Sequence, residues 1–207
     1  MAALAYGFLF SFRGDGPART LLKVSGVVIL AGMAYAVGGP WLLWGALLAS
    51  AVGDAFLAGK PERWLLPGMA AFFLAHVFYV LLFWQLGEGG GDARSLPVKI
   101  AQAALVVAGA FYIRWLVPWI GKPMRLPVIL YGAVILMMGA AAIALPEPWR
   151  LVTIGALMFI ASDSILAHQL FCRPANAPPN KLASYAVWFL YFFGQAAIML
   201  GVAGIPA

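Results

Sequence analysis

Seven long apolar segments fill most of this 207-residue chain, and each is close in length to the ~20 apolar residues that cross a bilayer as a helix. Runs such as WLLWGALLASAV are apolar on every side and do not alternate with polar residues, which excludes a membrane β-barrel. Hydrophobic residues make up 64% of the chain and charged residues 10%, whereas soluble globular domains hold about 25% charged residues. We therefore predict an all-α, polytopic membrane helix bundle that forms one transmembrane domain over residues 1–207.

The Gly, Pro and charge clusters between these segments set the bounds of the predicted spans. The spans lie near 20–37, 41–58, 65–86, 96–117, 124–145, 150–171 and 181–204. The opening segment, Met1 to Phe12, is too short to cross a ~30 Å hydrocarbon core alone at about 1.5 Å per residue. We count it as a short first span, with an interfacial helix as the alternative, so that the prediction is eight transmembrane helices.

The basic residues are distributed unequally between the two ends of these eight spans. Ten lie at one end, namely Arg13, Arg19, Lys23, Lys60, Arg63, Arg114, Lys122, Arg125, Arg173 and Lys181. Three lie at the other, namely Arg94, Lys99 and Arg150. Positively charged loops stay in the cytoplasm, so we predict a plasma (inner) membrane protein with both termini outside. The basic residues stand singly and form no stripe, which argues against a nucleic-acid partner.

Several metal and nucleophile chemistries are excluded by residue counts and missing motifs. The single cysteine, Cys172, rules out an internal disulfide, a thiolate zinc site and an iron–sulfur cluster. The chain has two histidines, His76 and His168, and no HExxH motif, so a histidine-rich zinc site cannot form. There is also no GxSxG or P-loop motif. We expect no metal and no cofactor.

Two aspartates lie inside predicted spans, where an ionisable group costs several kcal/mol and by default marks a functional site. Asp54, in GDAFLA, lies about one helical turn from the predicted cytoplasmic end of its span, and Asp163, in SDSILA, lies near the middle of its own. The two segments share Asp, Leu and Ala and are four spans apart, which suits a 4+4 parallel repeat with the carboxylates facing one another. A structural carboxylate, capping a helix or paired with a lysine, is the alternative.

Other polar side chains gather toward the same membrane face and are candidates for binding a substrate. Lys23 begins its span near the cytoplasmic surface, where a snorkelling lysine is equally ordinary. His76 and Tyr79 share one helix face, although a buried histidine bonded to a backbone carbonyl is as ordinary as a functional one. The predicted substrate-binding residues are Lys23, His76, Tyr79, Tyr131, Ser162, Tyr191 and Gln195.

At these residues the chain resembles the YhhN family of integral membrane proteins, which includes bacterial and animal lysoplasmalogenases. The resemblance runs from Lys23 to Gly201 and depends on the order and spacing of LLKVSG, GDAFLA, PGMAAFFLAHVFYVLLF, PVILYGAVILMMGAAAI, GALMFIASDSILA and YFFGQAAIMLG. The functional aspartates of the family map onto Asp54 and Asp163. The chain departs from the family in its short opening span and in Val24, where many members have proline.

The resemblance implies hydrolysis of the vinyl ether bond of a lysoplasmalogen to a fatty aldehyde and glycerophosphoethanolamine or glycerophosphocholine. Protonation of the vinyl ether carbon creates an oxocarbenium ion, so the chemistry needs one protonated carboxyl group and one carboxylate, as in glycosidases. Desolvation favours the neutral form, so Asp163, deeper in the membrane, is the favoured acid and Asp54 the favoured carboxylate.

A lysophospholipid taken from the cytoplasmic leaflet would place its phosphate near Lys23 and its hydrocarbon chain toward the bilayer centre. Phe72, Phe159 and Phe193 would then line a tunnel for that chain. The main alternative is a small transporter that moves protons or cations on the aspartate pair, and a further one is a lipid sensor without chemistry. The sequence sets no oligomeric state.

Overall fold

The computed structural model describes residues 17–59, 61–87, 95–174, 177–178 and 180–204, and the predicted short span at Met1 to Phe12 lies outside them. Within this part the chain forms seven α-helices and no strand, which confirms the all-α prediction. The helices are α1 (Pro17–Ala36), α2 (Trp41–Leu57), α3 (Pro61–Gly87), α4 (Leu96–Leu116), α5 (Lys122–Ile143), α6 (Arg150–Phe171) and α7 (Lys181–Ala203), with a short 3₁₀ helix at Val117–Trp119. Each predicted bound lies within four residues of the observed one.

Local signals in the sequence mark several helix ends. Prolines occupy the first turns of α4 and α5, where their missing N–H groups would have no helical partner. Asn180 caps α7, since its side-chain oxygen accepts a hydrogen bond from the Ala183 N–H at 3.1 Å. Gly38, just after α1, has a φ of 72°, a left-handed backbone conformation that residues other than glycine rarely adopt.

The helices have the length and the outer surface of membrane-spanning segments. Five of them, α3 to α7, are long and apolar enough to cross a membrane, and the apolar stretches Thr20–Ala36 and Trp41–Leu57 are shorter. The 17 residues of α2 cover about 26 Å at 1.5 Å per residue, slightly less than a ~30 Å hydrocarbon core. Large apolar side chains such as Trp84, Phe111 and Leu182 are more than two-thirds exposed, as expected for a surface in contact with lipid.

Helix packing is most extensive between α6 and α7 and between α2 and α3. At the crossing of α6 and α7, a Cβ added to Gly155 would lie 2.6 Å from the Gly194 carbonyl oxygen, and one added to Gly194 would lie 2.8 Å from the Gly155 oxygen. Small residues let membrane helices approach in this way. The close approach fixes α7 against α6, the helix that carries Asp163.

The outermost helix is α4, in which Leu116 is the buried residue. Two side-chain hydrogen bonds connect it to the bundle: Gln102 Nε2 donates to the Ala140 carbonyl of α5 at 2.8 Å, and the Tyr112 hydroxyl donates to the Ser164 carbonyl of α6 at 2.6 Å. The remaining surface of α4 is largely exposed, so this helix packs more loosely than the others.

Candidate active site

A cavity of about 340 Å³ lies at the end of the bundle where α2 and α6 end and α3 and α7 begin. Apolar side chains form much of its wall, and a smaller polar group lies among them. The polar wall residues are Lys23, Asp54, Tyr131, Ser162, Asp163, Gln169, Ser184 and Tyr191. Both predicted catalytic aspartates and four of the seven predicted substrate-binding residues therefore line one cavity.

Asp54 is held by side chains from two other helices. It lies one turn before the end of α2, and its side chain is 1% exposed. Lys23 Nζ of α1 lies 2.8 Å from Asp54 Oδ1, and the Tyr191 hydroxyl of α7 donates a hydrogen bond to Oδ2 at 2.7 Å. Each carboxylate oxygen thus has a partner, and the ammonium group supplies a counter-charge. A buried carboxylate needs both to remain ionised away from water.

Asp163 has a different kind of partner. It is half-buried in α6, and the Tyr131 hydroxyl of α5 donates a hydrogen bond to its Oδ2. This partner is a neutral hydroxyl, in contrast with the ammonium group beside Asp54. The two aspartates therefore share a cavity but differ in the charge of their nearest partners.

The distance of each aspartate from the end of its helix does not predict which of the two is more buried. Asp163 lies farther from its helix end than Asp54 does, yet it is the more exposed of the two. The expectation that greater depth desolvates Asp163 more strongly therefore does not distinguish them. The difference lies in their partners, since Lys23 stabilises a negative charge on Asp54.

Three predicted substrate-binding residues lie behind the cavity wall. His76, Tyr79 and Gln195 are fully buried and are not among the residues that line the cavity. The Tyr79 hydroxyl donates a hydrogen bond to Gln195 Oε1, which connects α3 to α7. His76 Nδ1 lies 2.6 Å from the Phe72 carbonyl oxygen, as in an ordinary buried histidine, and the imidazole packs edge-on against Tyr131 with ring centroids 5.3 Å apart. These residues support the wall from behind.

Ser162 lines the cavity, but its hydroxyl donates a hydrogen bond to the Val187 carbonyl at 2.8 Å and so connects α6 to α7. Two other polar wall residues, Gln169 and Ser184, are absent from the sequence-based set. Both lie near helix ends, where polar residues are common in any membrane protein. Their residue type and position in the sequence therefore did not mark them as site residues. Only the folded arrangement brings them beside the aspartates.

The three phenylalanines predicted to line a hydrocarbon tunnel have three different environments. Phe72 lines the cavity, whereas Phe159 is fully buried and packs on Tyr191 with ring centroids 5.2 Å apart. Phe193 is 44% exposed on the outer face of α7, so the tunnel prediction is wrong for this residue. The face of the helix on which a residue lies, as well as its depth, decides whether its side chain points inward.

The long apolar helices and the polar cavity within them define an integral membrane protein of the helical class. The family model described as the YhhN family matches residues 18–202, and the chain belongs to this family, which confirms the resemblance seen in the sequence.

Relatives of the chain include proteins named for an activity. Human "Lysoplasmalogenase TMEM86B" is 32% identical over 90% of this chain and 76% of its own length. The mouse protein of the same name is 34% identical over 96% of this chain and 82% of its own length. "Lysoplasmalogenase" of Mycobacterium bovis is 28% identical over 97% of this chain and 80% of its own length. No solved structure matches the chain significantly.

Proposed function

We propose that the chain is a lysoplasmalogenase, a membrane hydrolase that cleaves the vinyl ether bond of a lysoplasmalogen. The products would be a fatty aldehyde and glycerophosphoethanolamine or glycerophosphocholine. The names of the relatives support the activity. The observation that carries the proposal is the pair of aspartates in one cavity, one beside an ammonium group and the other beside a hydroxyl. Vinyl ether hydrolysis needs such a pair, because one carboxyl group must give a proton and the other must carry a negative charge.

In the proposed reaction, Asp163 is the acid and Asp54 the carboxylate. Protonated Asp163 transfers its proton to the vinyl ether carbon that is not bonded to oxygen, and an oxocarbenium ion forms. Water adds to the carbon of this ion and gives its proton to Asp54. The resulting hemiacetal then collapses: Asp54 returns the proton to the glycerol oxygen, and Asp163 takes the proton of the hemiacetal hydroxyl. Both aspartates end in their starting states, and one water is consumed.

The partners of the two aspartates suit these roles. The ammonium group of Lys23 favours the ionised form of Asp54, which then stabilises the nearby oxocarbenium charge. The hydroxyl of Tyr131 orients Asp163 without adding a positive charge beside it. Tyr191 and Tyr131 therefore act as positioning residues that hold the two carboxyl groups in the cavity wall.

Substrate binding is proposed at the same end of the bundle. An ammonium group has three donors, and Asp54 Oδ1 takes one of them, so Lys23 can also contact the phosphate of a lysophospholipid. Gln169 and Ser184 lie in the same wall and can donate or accept hydrogen bonds to the head group or the glycerol hydroxyl. Behind these groups, His76, Tyr79 and Gln195 hold the wall in place.

We also propose the wider arrangement that the charge pattern and the internal similarity predict. It comprises eight spans in one transmembrane domain, a 4+4 parallel repeat, a location in the plasma membrane, both termini outside and substrate access from the cytoplasmic leaflet. Two observations support it: Asp54 and Asp163, from the similar segments, line one cavity, and that cavity lies at the end of the bundle with more basic residues. The transporter alternative needs polar groups across the whole membrane thickness, whereas these are concentrated at one end.

Purified protein in detergent or lipid nanodiscs tests the activity with two matched substrates. One is a 1-alkenyl lysophospholipid, and the other is the 1-acyl lysophospholipid with the same chain length and head group. We expect aldehyde from the alkenyl lipid and no fatty acid from the acyl lipid, since an ester has no carbon that accepts a proton in this way. A folded protein that releases no aldehyde from the alkenyl lipid would contradict the proposal.

A further inference from the structure

A second cavity, of about 320 Å³, lies between α4, α5 and α6. Its wall is mainly aliphatic, with Leu105, Ala108, Leu116, Gly132, Leu136 and Ile160 among its residues. One of the few polar groups in the wall, the Tyr112 hydroxyl, donates a hydrogen bond to the Ser164 carbonyl and is therefore occupied. Charged and hydrogen-bonding ligands would find few partners here, whereas a hydrocarbon chain would lose nothing by leaving the bilayer.

The second cavity meets the first at the candidate acid. Val128, Tyr131, Asp163 and Ala167 line both cavities, and Asp163 accepts its hydrogen bond from Tyr131 at this boundary. The first cavity holds the cation and the other polar wall residues, and the second is apolar. A molecule with a polar head and one hydrocarbon chain would therefore place the bond between the two parts beside Asp163.

The dimensions of the second cavity also fit a single lipid chain from one leaflet. Along α4 it extends from Leu116 to Leu105, a separation of eleven steps or about 17 Å at 1.5 Å per residue. Half of a ~30 Å hydrocarbon core is about 15 Å, the depth that a chain anchored at one surface reaches. At about 30 Å³ for a group the size of a water molecule, the volume holds roughly ten methylene groups.

We propose that the second cavity binds the alkenyl chain of the substrate while the first cavity binds the glycerophosphate head, so that the vinyl ether lies against Asp163. This inference rests on the proposed function. It replaces the tunnel expected at Phe159 and Phe193, neither of which borders the second cavity. The small residue Ala108 lies at the cavity wall, and the loose packing of α4 lets a chain enter sideways from the membrane.

Filling the cavity tests the proposal through chain-length preference. Ala108 is exposed and lines the cavity, whereas Ala110, on the same helix and also exposed, does not. We expect Ala108→Trp to lower the ratio of kcat/KM for a C16 alkenyl substrate to that for a C6 substrate by about tenfold, because the indole would occupy space that the methylenes of the longer chain need. Ala110→Trp is the matched control and should keep the wild-type ratio. Equal ratios in the two variants would overturn the proposal.

Enlarging the cavity gives the opposite test. Leu136→Ala should raise the relative kcat/KM for a chain bearing a methyl branch, since the removed side chain borders the cavity. An unchanged preference in this variant, together with an unchanged preference in Ala108→Trp, would place the chain elsewhere.

Photo-crosslinking separates failure of this inference from failure of the proposed function, because it needs no turnover. The probe is a lysophospholipid with a saturated ether chain, which cannot be hydrolysed as a vinyl ether, and with a diazirine at the end of that chain. We expect peptides containing Leu105 and Leu136 to be labelled and excess lysoplasmalogen to suppress the labelling. Labelling confined to the first cavity, for instance at Leu65, would overturn the proposal. So would equal labelling by a diazirine-bearing diacyl phospholipid, which would identify the occupant as bulk bilayer lipid.

Discussion

Two helix contacts differ in which atoms set the distance between the helices. One is the contact between α6 and α7, and the other is the contact between α4 and α5. At Gly155, an added Cβ would meet a backbone oxygen of α7 at 2.6 Å, and the backbone cannot move without separating the helices. At Gly132 of α5, an added Cβ would meet the Cδ1 tip of Ile113 of α4 at the same 2.6 Å, and a side-chain tip can rotate away. The first contact is therefore rigid, and the second can adjust.

This difference matches what each region holds. The rigid side carries the proposed acid, Asp163, together with Ser162, which connects α6 to α7, and Tyr191, which positions Asp54, and proton transfer needs such groups held precisely. The adjustable side borders the apolar cavity, where a hydrocarbon chain needs space more than exact placement. Substitutions in the two regions should therefore affect different measurements.

The largest effect is expected from removing the two carboxyl groups of the first cavity, Asp163 on the rigid side and Asp54 on α2. Asp54→Asn and Asp163→Asn should each lower kcat by at least about 10²-fold, as expected for loss of a general acid or base. Glu147→Gln is the matched control, because its side chain is 73% exposed in the loop before α6, where it pairs with Arg150 at 3.8 Å, and does not line the cavity. Turnover numbers in detergent, together with circular dichroism of each variant, check this. Full activity of either aspartate variant would remove the two-carboxylate mechanism.

A methyl group added at each of the two helix contacts tests whether they differ in rigidity. Gly155→Ala should lower the free energy of unfolding by about 1–3 kcal/mol, because α6 and α7 must separate to admit it. Gly132→Ala should stay within about 0.5–1 kcal/mol of the wild type, since rotation of Ile113 makes room and alanine favours the helix. Denaturant unfolding in micelles provides both values. Equal losses would mean that the two contacts are equally rigid.

Removing one hydroxyl should have a smaller effect on catalysis. Tyr131→Phe takes away the hydrogen bond to Asp163, and a bond of this kind is worth about 1–2 kcal/mol, so we expect kcat to fall about tenfold. Tyr35→Phe provides the control: Tyr35 is 71% exposed and packs on Trp44, away from the cavity. If the two variants retain the same activity, Tyr131 does not position the acid.

The smallest perturbation is expected from single cysteine substitutions in loops, which report the orientation of the protein in the membrane. In a Cys172→Ser background, single cysteines at Lys60, Lys122 and Lys181 should be protected from a membrane-impermeant thiol reagent added outside cells. A cysteine at Asp92 should react. Labelling from outside at Lys122 would reverse the orientation and move the first cavity to the opposite leaflet.

The helices were predictable from the sequence because membrane spans need long apolar runs, and Gly, Pro and charge interrupt those runs near each end. Asp54 and Asp163 were predictable for the same reason, since an ionisable residue stands out in an apolar span. Pairing of an aspartate with a lysine was one of the alternatives, but the sequence could not assign Lys23 to Asp54, because that depends on how α1 and α2 meet. The second cavity also left no sequence signal, since its aliphatic wall residues resemble those that face lipid.

Hydrolysis in water enriched in oxygen-18 tests most directly the central claim that water adds to the vinyl ether carbon bonded to oxygen. The aldehyde is reduced to its alcohol as it forms, so that its oxygen cannot exchange, and both products are analysed by mass spectrometry. We predict oxygen-18 in the fatty alcohol and none in the glycerophospho-alcohol. Oxygen-18 in the glycerophospho-alcohol would show attack on the glycerol carbon and would contradict the mechanism.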